Sequence, residues 1–111
     1  NGEALGPFGI MGGYMQPQAH VQFVMNMVDW GLNPQQALDA PRWQWVGGKK
    51  VQVEQDTPNH IVRQLQRRGH DVTLIADKVL MGRGQAILRD SQTGVLVGGT
   101  EKRTDGQIMS W

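Results

Sequence analysis

The chain has no cysteine, so disulfides, thiolate nucleophiles and cysteine metal sites are all excluded. A cysteine-free composition suits the cytoplasm and the periplasm equally and leaves the compartment open. Charge is nearly balanced: eleven Lys plus Arg against ten Asp plus Glu give a net of +1. The basic pairs Lys49-Lys50 and Arg67-Arg68 are too short to make the stripe that a nucleic-acid partner requires. No apolar run approaches the length of a membrane span. The start, Asn1-Gly2-Glu3-Ala4-Leu5, has neither an initiator Met nor a signal-peptide pattern, which predicts a piece cut from a longer chain. Internal repeats and low-complexity stretches are also missing.

What is present is a small domain's worth of sequence, read as one unit over residues 1–111. Apolar residues make up 39%, including four Trp and six Met, enough for a core. Fifteen glycines lie between apolar segments and point to tight turns and close backbone packing rather than disorder.

The local patterns predict a mixed α+β chain of three helices and five or six short strands. Leu5 to Met11 reads as a buried strand ended by Gly12-Gly13. Pro17 fits the first turn of a helix running to Trp30. Val21, Val24, Met25 and Val28 form its expected apolar face, with Gln18, Gln22, Asn26 and Asp29 as the polar stripe opposite. Gly31 is a left-handed cap followed by Leu32. Asn33, Pro34 and Gln36 carry the spacing of a capping box for a short second helix that Pro41 stops. Arg42–Val46 and Lys50–Glu54 alternate like strands around a Gly47-Gly48 turn and predict a hairpin. Thr57-Pro58 opens a third helix, with Ile61, Val62 and Leu65 apolar, that ends at Gly69. Asp71–Ala76, Gln85–Arg89 and Val95–Val97 are further strands, the last two joined by a turn over Asp90–Gly94. Thr100 to Gly106 reads as a polar tail, and Ile108–Trp111 as a final short strand.

The stretch Gly9-Ile10-Met11-Gly12-Gly13-Tyr14-Met15-Gln16-Pro17-Gln18 carries the chemistry. A strand runs into paired glycines and then directly into a helix. Backbone N–H groups at the positive end of a helix hold an anion or a polarised carbonyl oxygen. Glycine lets a substrate approach the main chain closely. Such donors can form an oxyanion hole. A plain strand-to-helix turn produces the same local pattern, so two glycines alone are an unspecific signal.

Their context is more specific. Gly9-x-Met11-Gly12-Gly13-x-Met15-Gln16-Pro17-Gln18-x-His20-Val21-Gln22 closely resembles the gamma-glutamyltransferase family. So do Asp29-Trp30-Gly31-Leu32-Asn33-Pro34, Ala37-x-Asp39-Ala40-Pro41-Arg42, Gly84-Gln85-Ala86-Ile87 and Arg103-x-Asp105-Gly106, all in family order. The Met-Gly-Gly-x-Met-Gln-Pro-Gln form is similar to a bacterial branch of acylases and small-amide hydrolases. The resemblance implies the C-terminal part of the small subunit of an N-terminal-nucleophile hydrolase with a four-layer αββα fold. Such an enzyme cleaves gamma-glutamyl groups, such as those of glutathione, or related amides. Its Thr nucleophile, carboxylate-binding Arg and pocket residues would lie upstream of Asn1. Its other partners are then the large subunit, the rest of the small subunit and a small-molecule amide, with no cofactor and no metal. Gly12 and Gly13 align with the family's oxyanion-hole glycines and are the site residues carried over. Two departures stand out: Thr100-Glu101-Lys102 replaces the usual Ser, Asp and Pro before the terminal Arg, and Tyr14 stands where better-known members have a small Ser.

The remaining chemistry-bearing residues read as scaffold. His20, His60 and His70 are not spaced as a ligand cluster. Asp29 and Asp39 fall at cap and surface positions. Thr57 and Thr104 have no neighbouring base, and Trp43 and Trp45 read as same-face packing on one strand. Gly82-Arg83-Gly84 lacks the Lys and the glycine spacing of a phosphate loop; the resemblance makes it a strand entry near the active-site layer. An isolated piece of this kind should be inactive and should self-associate through exposed apolar faces. The alternative is a freestanding, non-catalytic structural or interaction module of the same ancestry, and what precedes Asn1 separates the two.

Overall fold

The computed structural model describes residues 2–109, with Lys78 and Val79 described by backbone alone. Strands β1 (Phe8–Met11), β5 (Arg83–Arg89) and β6 (Leu96–Thr100) form an antiparallel sheet in the order β1-β5-β6. Strands β2 (Trp43–Gly47), β3 (Lys50–Glu54) and β4 (Asp71–Ile75) form a second sheet. There β2 and β3 make the expected hairpin, and β3 and β4 run parallel. That parallel pair needs a crossover, which α3 (Asn59–Arg67) supplies. Helices α1 (Gln16–Val28) and α2 (Pro34–Asp39) pack against the first sheet. The α+β class read from the local patterns is therefore the observed one.

The core lies between that sheet and its helices. Ile10 and Ala86 of the strands meet Met15, Ala19 and Phe23 along α1, with Ala37, Leu38 and Met81 completing the cluster. Phe8 stacks on Phe23 with ring centroids 5.1 Å apart.

The helix starts follow local chemistry. Asn33 Oδ1 accepts the N–H of Gln36 at 2.8 Å, and the Gln36 side chain accepts the N–H of Asn33 at 3.1 Å. Both halves of the capping box are thus formed. Gly31 adopts φ +66°, the left-handed cap that a side chain would strain.

Helix α1 reverses the expected orientation. Its buried residues are Ala19, Gln22 and Phe23, whereas Val21, Val24, Met25 and Val28 are exposed. The reason is hydrogen bonding. Gln22 donates to Trp43 O at 2.7 Å and accepts Trp43 N–H at 3.0 Å. One turn earlier, Gln18 does the same to Trp45 at 3.1 and 2.7 Å. Two amide side chains thereby act as a substitute strand along the outer edge of β2, whose backbone groups would otherwise lack partners. Gln35 of α2 treats Thr100 of β6 in the same way, at 2.8 and 3.0 Å.

Several boundaries also move. β1 begins at Phe8 rather than Leu5, yet Leu5 O and Pro7 O still accept the N–H groups of Arg89 and Ile87 at 2.7 and 2.9 Å. Pro7 has no N–H to return, so the ladder there is one-sided. β6 extends to Thr100, past the expected Val97. The proposed final strand does not form at Ile108 and Met109, and its last two residues, 110 and 111, lie outside the described residues. Ile108 instead covers Gly98, where an added Cβ would stand 3.1 Å from Ile108 Cγ2.

Candidate functional site: a glycine turn on a buried ion cluster

Strand β1 ends at Met11, and a single 3-10 turn over Gly13–Met15 leads into α1 without a break. The turn is closed by the Met15 N–H donating to Gly12 O at 3.0 Å. Gly12 and Gly13 are both exposed. Gly13 has φ +58°, a conformation that costs an L-residue roughly 1–2 kcal/mol. Gly12 is needed for a different reason. A Cβ there would lie 3.1 Å from the Cα of Gly82, so two backbones touch at this point. Gly82, at φ +97°, is equally constrained: its Cβ would meet Ile10 Cγ2 at 2.9 Å and Met11 O at 3.2 Å. Ile10 and Met15 anchor the turn from below at 4% and 1% exposure, while Met11 and Tyr14 project from it at 68% and 96%. The two sequence-predicted residues thus sit where a strand end, a helix start and the entry to β5 converge.

Beneath Gly82 lies the densest polar cluster of the described residues, and sequence reasoning missed it. Arg42 Nη1 donates to Met81 O at 3.1 Å and to Gly82 O at 2.9 Å. Its Nη2 donates to Leu38 O at 3.2 Å and to Glu101 Oε2 at 2.7 Å. Glu101 Oε2 also accepts the N–H of Gly84 at 2.9 Å. The other oxygen, Oε1, takes Arg103 Nη1 at 2.6 Å. Arg103 forks onto Glu54 through Nε and Nη2 at 2.7 and 2.8 Å and reaches Leu38 O and Ala40 O at 2.7 and 3.1 Å. All five N–H groups of Arg103 are thereby used. Two cations and two carboxylates cancel within a volume almost closed to water, the exposures of these residues running from 0% to 8%.

The electrostatics match this geometry. Burial alone would raise the Glu101 carboxyl, but the hydrogen bond from Arg103 and the charges of Arg42 and Arg103 outweigh it and hold the group below the usual carboxylate range. Burial and then the charge of Arg103 pull Arg42 below its ordinary value, with Glu101 opposing. Arg103 goes the other way: burial lowers it, but the hydrogen bonds it donates to Glu54 and Glu101 raise it above its ordinary value. A closed cluster with its donors satisfied sets geometry more than it adds stability, whereas removing one member leaves an unpaired buried charge.

The loop at Thr100–Lys102, which departs from the resembled pattern, therefore keeps a dense set of contacts, with Glu101 as their hub. It is not the solvated tail that its polarity suggests. The other candidates remain apart from the turn. His20 bonds its own helix, Nδ1 to Gln16 O at 2.6 Å, and Asp39 accepts from Gln35 at 3.1 Å. Trp43 and Trp45 line one face of β2, half exposed at 46% and 54%.

The whole chain, residues 1–111, matches the family model described as Gamma-glutamyltranspeptidase. The glutathione hydrolase-like YwrD proenzyme of Bacillus subtilis (strain 168) is 36% identical over 105 residues, which are 89% of this chain and 20% of that protein. The oxamate amidohydrolase proenzyme of Klebsiella pneumoniae is 30% identical over the same shares of both. Among solved structures, a cephalosporin acylase from Bacillus halodurans superposes with a TM-score of 0.97 at 59% identity, covering 100% of this chain and 21% of that one. A gamma-glutamyltranspeptidase from Pseudomonas nitroreducens shares the fold, with a TM-score of 0.84 at 21% identity. The chain spans about a fifth of the length of the curated relatives it matches.

Proposed function

The chain belongs to the gamma-glutamyltranspeptidase family, and from that premise we propose that it serves as the C-terminal part of an amide-cleaving N-terminal-nucleophile hydrolase, contributing the oxyanion-binding turn. A threonine outside this chain supplies the attacking hydroxyl. Its oxygen bonds to the carbonyl carbon of a gamma-glutamyl or related amide, and its proton passes to the threonine's own amino group. Charge moves onto the carbonyl oxygen, where the N–H groups of Gly12 and Gly13 receive it. The C–N bond then breaks and the amine leaves with the transferred proton. Water, or an acceptor amine, attacks the resulting ester, frees the acyl group and restores the threonine hydroxyl.

The observation that carries this reading is the Gly12–Gly13 turn: exposed, at the entry to a helix, and pressed by its backbone against Gly82. Oriented N–H groups at a helix start suit a developing oxyanion. The ion cluster supports the turn from behind, since Arg42 holds the carbonyl of Gly82. The chain's outward apolar residues, with Trp30 at 72% and Val28 at 70% exposure, favour a part of a larger assembly over a freestanding module. By itself the chain should hydrolyse no amide, because donors without a nucleophile stabilise nothing that forms.

The test uses the full polypeptide carrying this chain. Gly12→Ala places a methyl against Gly82 and tilts the turn; Gly13→Ala forces a strained φ. Each should lower kcat of the processed enzyme by about 10²–10³-fold with little change in KM. An unchanged kcat in both variants contradicts the assignment.

A further inference from the structure

Strand β5 enters its sheet through Met81–Gly84, and the buried cluster holds the backbone of that segment. Arg42 Nη1 donates to Met81 O and Gly82 O at 3.1 and 2.9 Å. Glu101 Oε2 accepts the Gly84 N–H at 2.9 Å and, on the same oxygen, Arg42 Nη2 at 2.7 Å. One carboxylate oxygen thus ties the two ends of the segment together. It also extends a ladder. Strand β6 pairs with β5 as far as Thr100, opposite Gln85. One residue further on, the Glu101 side chain takes the place of strand backbone as the partner of Gly84.

The held segment bears directly on the glycine turn. On its other side β5 pairs with β1, Gly84 opposite Ile10 and Arg83 opposite Met11, and one step beyond these pairs Gly82 lies against Gly12. A Cβ on Gly12 would stand 3.1 Å from Gly82 Cα, and one on Gly82 would stand 3.2 Å from Met11 O. Two backbones in contact have no side chain between them to absorb a shift, so Gly12 follows Gly82. Stability alone does not explain the ions. Glu101 and Arg42 are 1% and 3% exposed, closed off by the chain's own atoms, and buried ion pairs often hold a fold no better than apolar groups of the same volume. What charged groups add here is a directional hold on particular carbonyl and N–H groups.

We propose that Glu101 is a positioning residue for the oxyanion turn: with Arg42 it fixes Gly82, and Gly82 sets the place of the Gly12 N–H. This rests on the reading of Gly12 and Gly13 as oxyanion donors. A displaced donor weakens the hold on charge that develops in the transition state more than the hold on the uncharged substrate, so the loss falls on kcat.

The experiment uses the processed full-length enzyme and the gamma-glutamyl or related amide that it turns over fastest. Glu101→Gln keeps the shape, but whichever way the amide lies its NH2 group meets Arg42 or Arg103. It should lower kcat about ten- to a hundredfold, with KM within about twofold. Glu101→Asp, which keeps the charge, should restore part of the loss. Arg42→Lys replaces the guanidinium fork by a single point of charge and should lower kcat in the same way, which keeps the test open if Glu101→Gln does not fold. Val51→Ala, which loosens the core of the second sheet, should leave kcat within about twofold. In a Gly12→Ala background, Glu101→Gln should cost clearly less than it does alone, because the donor it positions is already displaced. Equal costs in the two backgrounds, a raised KM in place of a lowered kcat, or parental kcat in both Glu101→Gln and Arg42→Lys overturns the proposal and leaves the oxyanion reading standing while Gly12→Ala alone is impaired. If Gly12→Ala alone turns over like the parent, the oxyanion reading itself fails and the positioning role falls with it.

Discussion

The sheet β1-β5-β6 is backed by α1 and α2 over a closed core, whereas β2-β3-β4 has α3 against its apolar face, and α3 buries none of its own residues. The difference is visible side by side in β2 and β3. Val51 and Val53 are buried, yet Trp43 and Trp45 on the same face remain half exposed, as does Leu74 across the parallel pair. The first sheet carries the glycine turn and is finished within this chain on its helix side. The second has a broad hollow between Trp30, Trp43, Ile61 and Leu65. The chain places its closed core and its buried charges around that glycine turn. The ion cluster joins the two halves: Glu54 comes from the second sheet, and Glu101 follows the last strand of the first.

The comparison breaks most severely at Glu101. Glu101→Ala leaves Arg42 and Arg103 facing each other without their shared carboxylate, and should cost about 3–5 kcal/mol, read as a fall in the urea midpoint. Next comes the contrast between two leucines. Leu38→Ala, in the closed core, should cost about 2–5 kcal/mol, and Leu65→Ala, on the loosely seated α3, about 1 kcal/mol. Equal costs would mean that the second sheet is as well packed as the first. Gln22→Ala removes the amide that serves both backbone groups of Trp43 and should cost about 1–3 kcal/mol. Gln18→Ala should cost less, because its bonds to Trp45 are open to water.

Acid probes the cluster more gently. The fold holds the Glu101 carboxyl below its ordinary value, so folding favours its ionised form. That contribution is fully present above the unfolded carboxyl value, about 4.3, and is lost as pH falls through the lower folded value. The urea midpoint should therefore decline on acidification through this range, and Glu101→Gln should flatten the part of the slope that Glu101 contributes. The smallest effect belongs to Lys102, whose exposed pairing with Asp56 spans 3.8 Å. That pairing should be worth less than about 1 kcal/mol, read as the coupling in a double-mutant cycle of Asp56→Asn and Lys102→Met, and should weaken with salt.

The features legible in the sequence were the local ones. The capping box at Asn33, the left-handed Gly31 and the hairpin turn at Gly47-Gly48 depend on neighbouring residues, so their spacing reveals them. The glycine turn was legible as a motif for the same reason. Helix α1 was legible as a helix, but its orientation was not, because a stripe of amides has the same period whether it bonds water or a strand edge. Val21, Val24, Met25 and Val28 then look like the core face although the chain leaves them outside. The ion cluster was hidden by distance: Arg42 meets Glu101 across 59 residues, and Arg103 meets Glu54 across 49. Each of these charges, taken alone, looks like a solvated one at the end of an element. The outward apolar residues of α1 lead to a further expectation, that the isolated chain associates; light scattering showing a stable monomer would count against it.

The most direct test of the oxyanion assignment is the infrared band of the acyl-enzyme carbonyl, isotopically labelled in the acyl group, in the full-length enzyme and in Gly12→Ala. A carbonyl oxygen held by the N–H groups of Gly12 and Gly13 is polarised and should absorb at a lower frequency in the parent than in the variant. The same frequency in both would show that the turn does not touch the reacting carbonyl, and the assignment would fail.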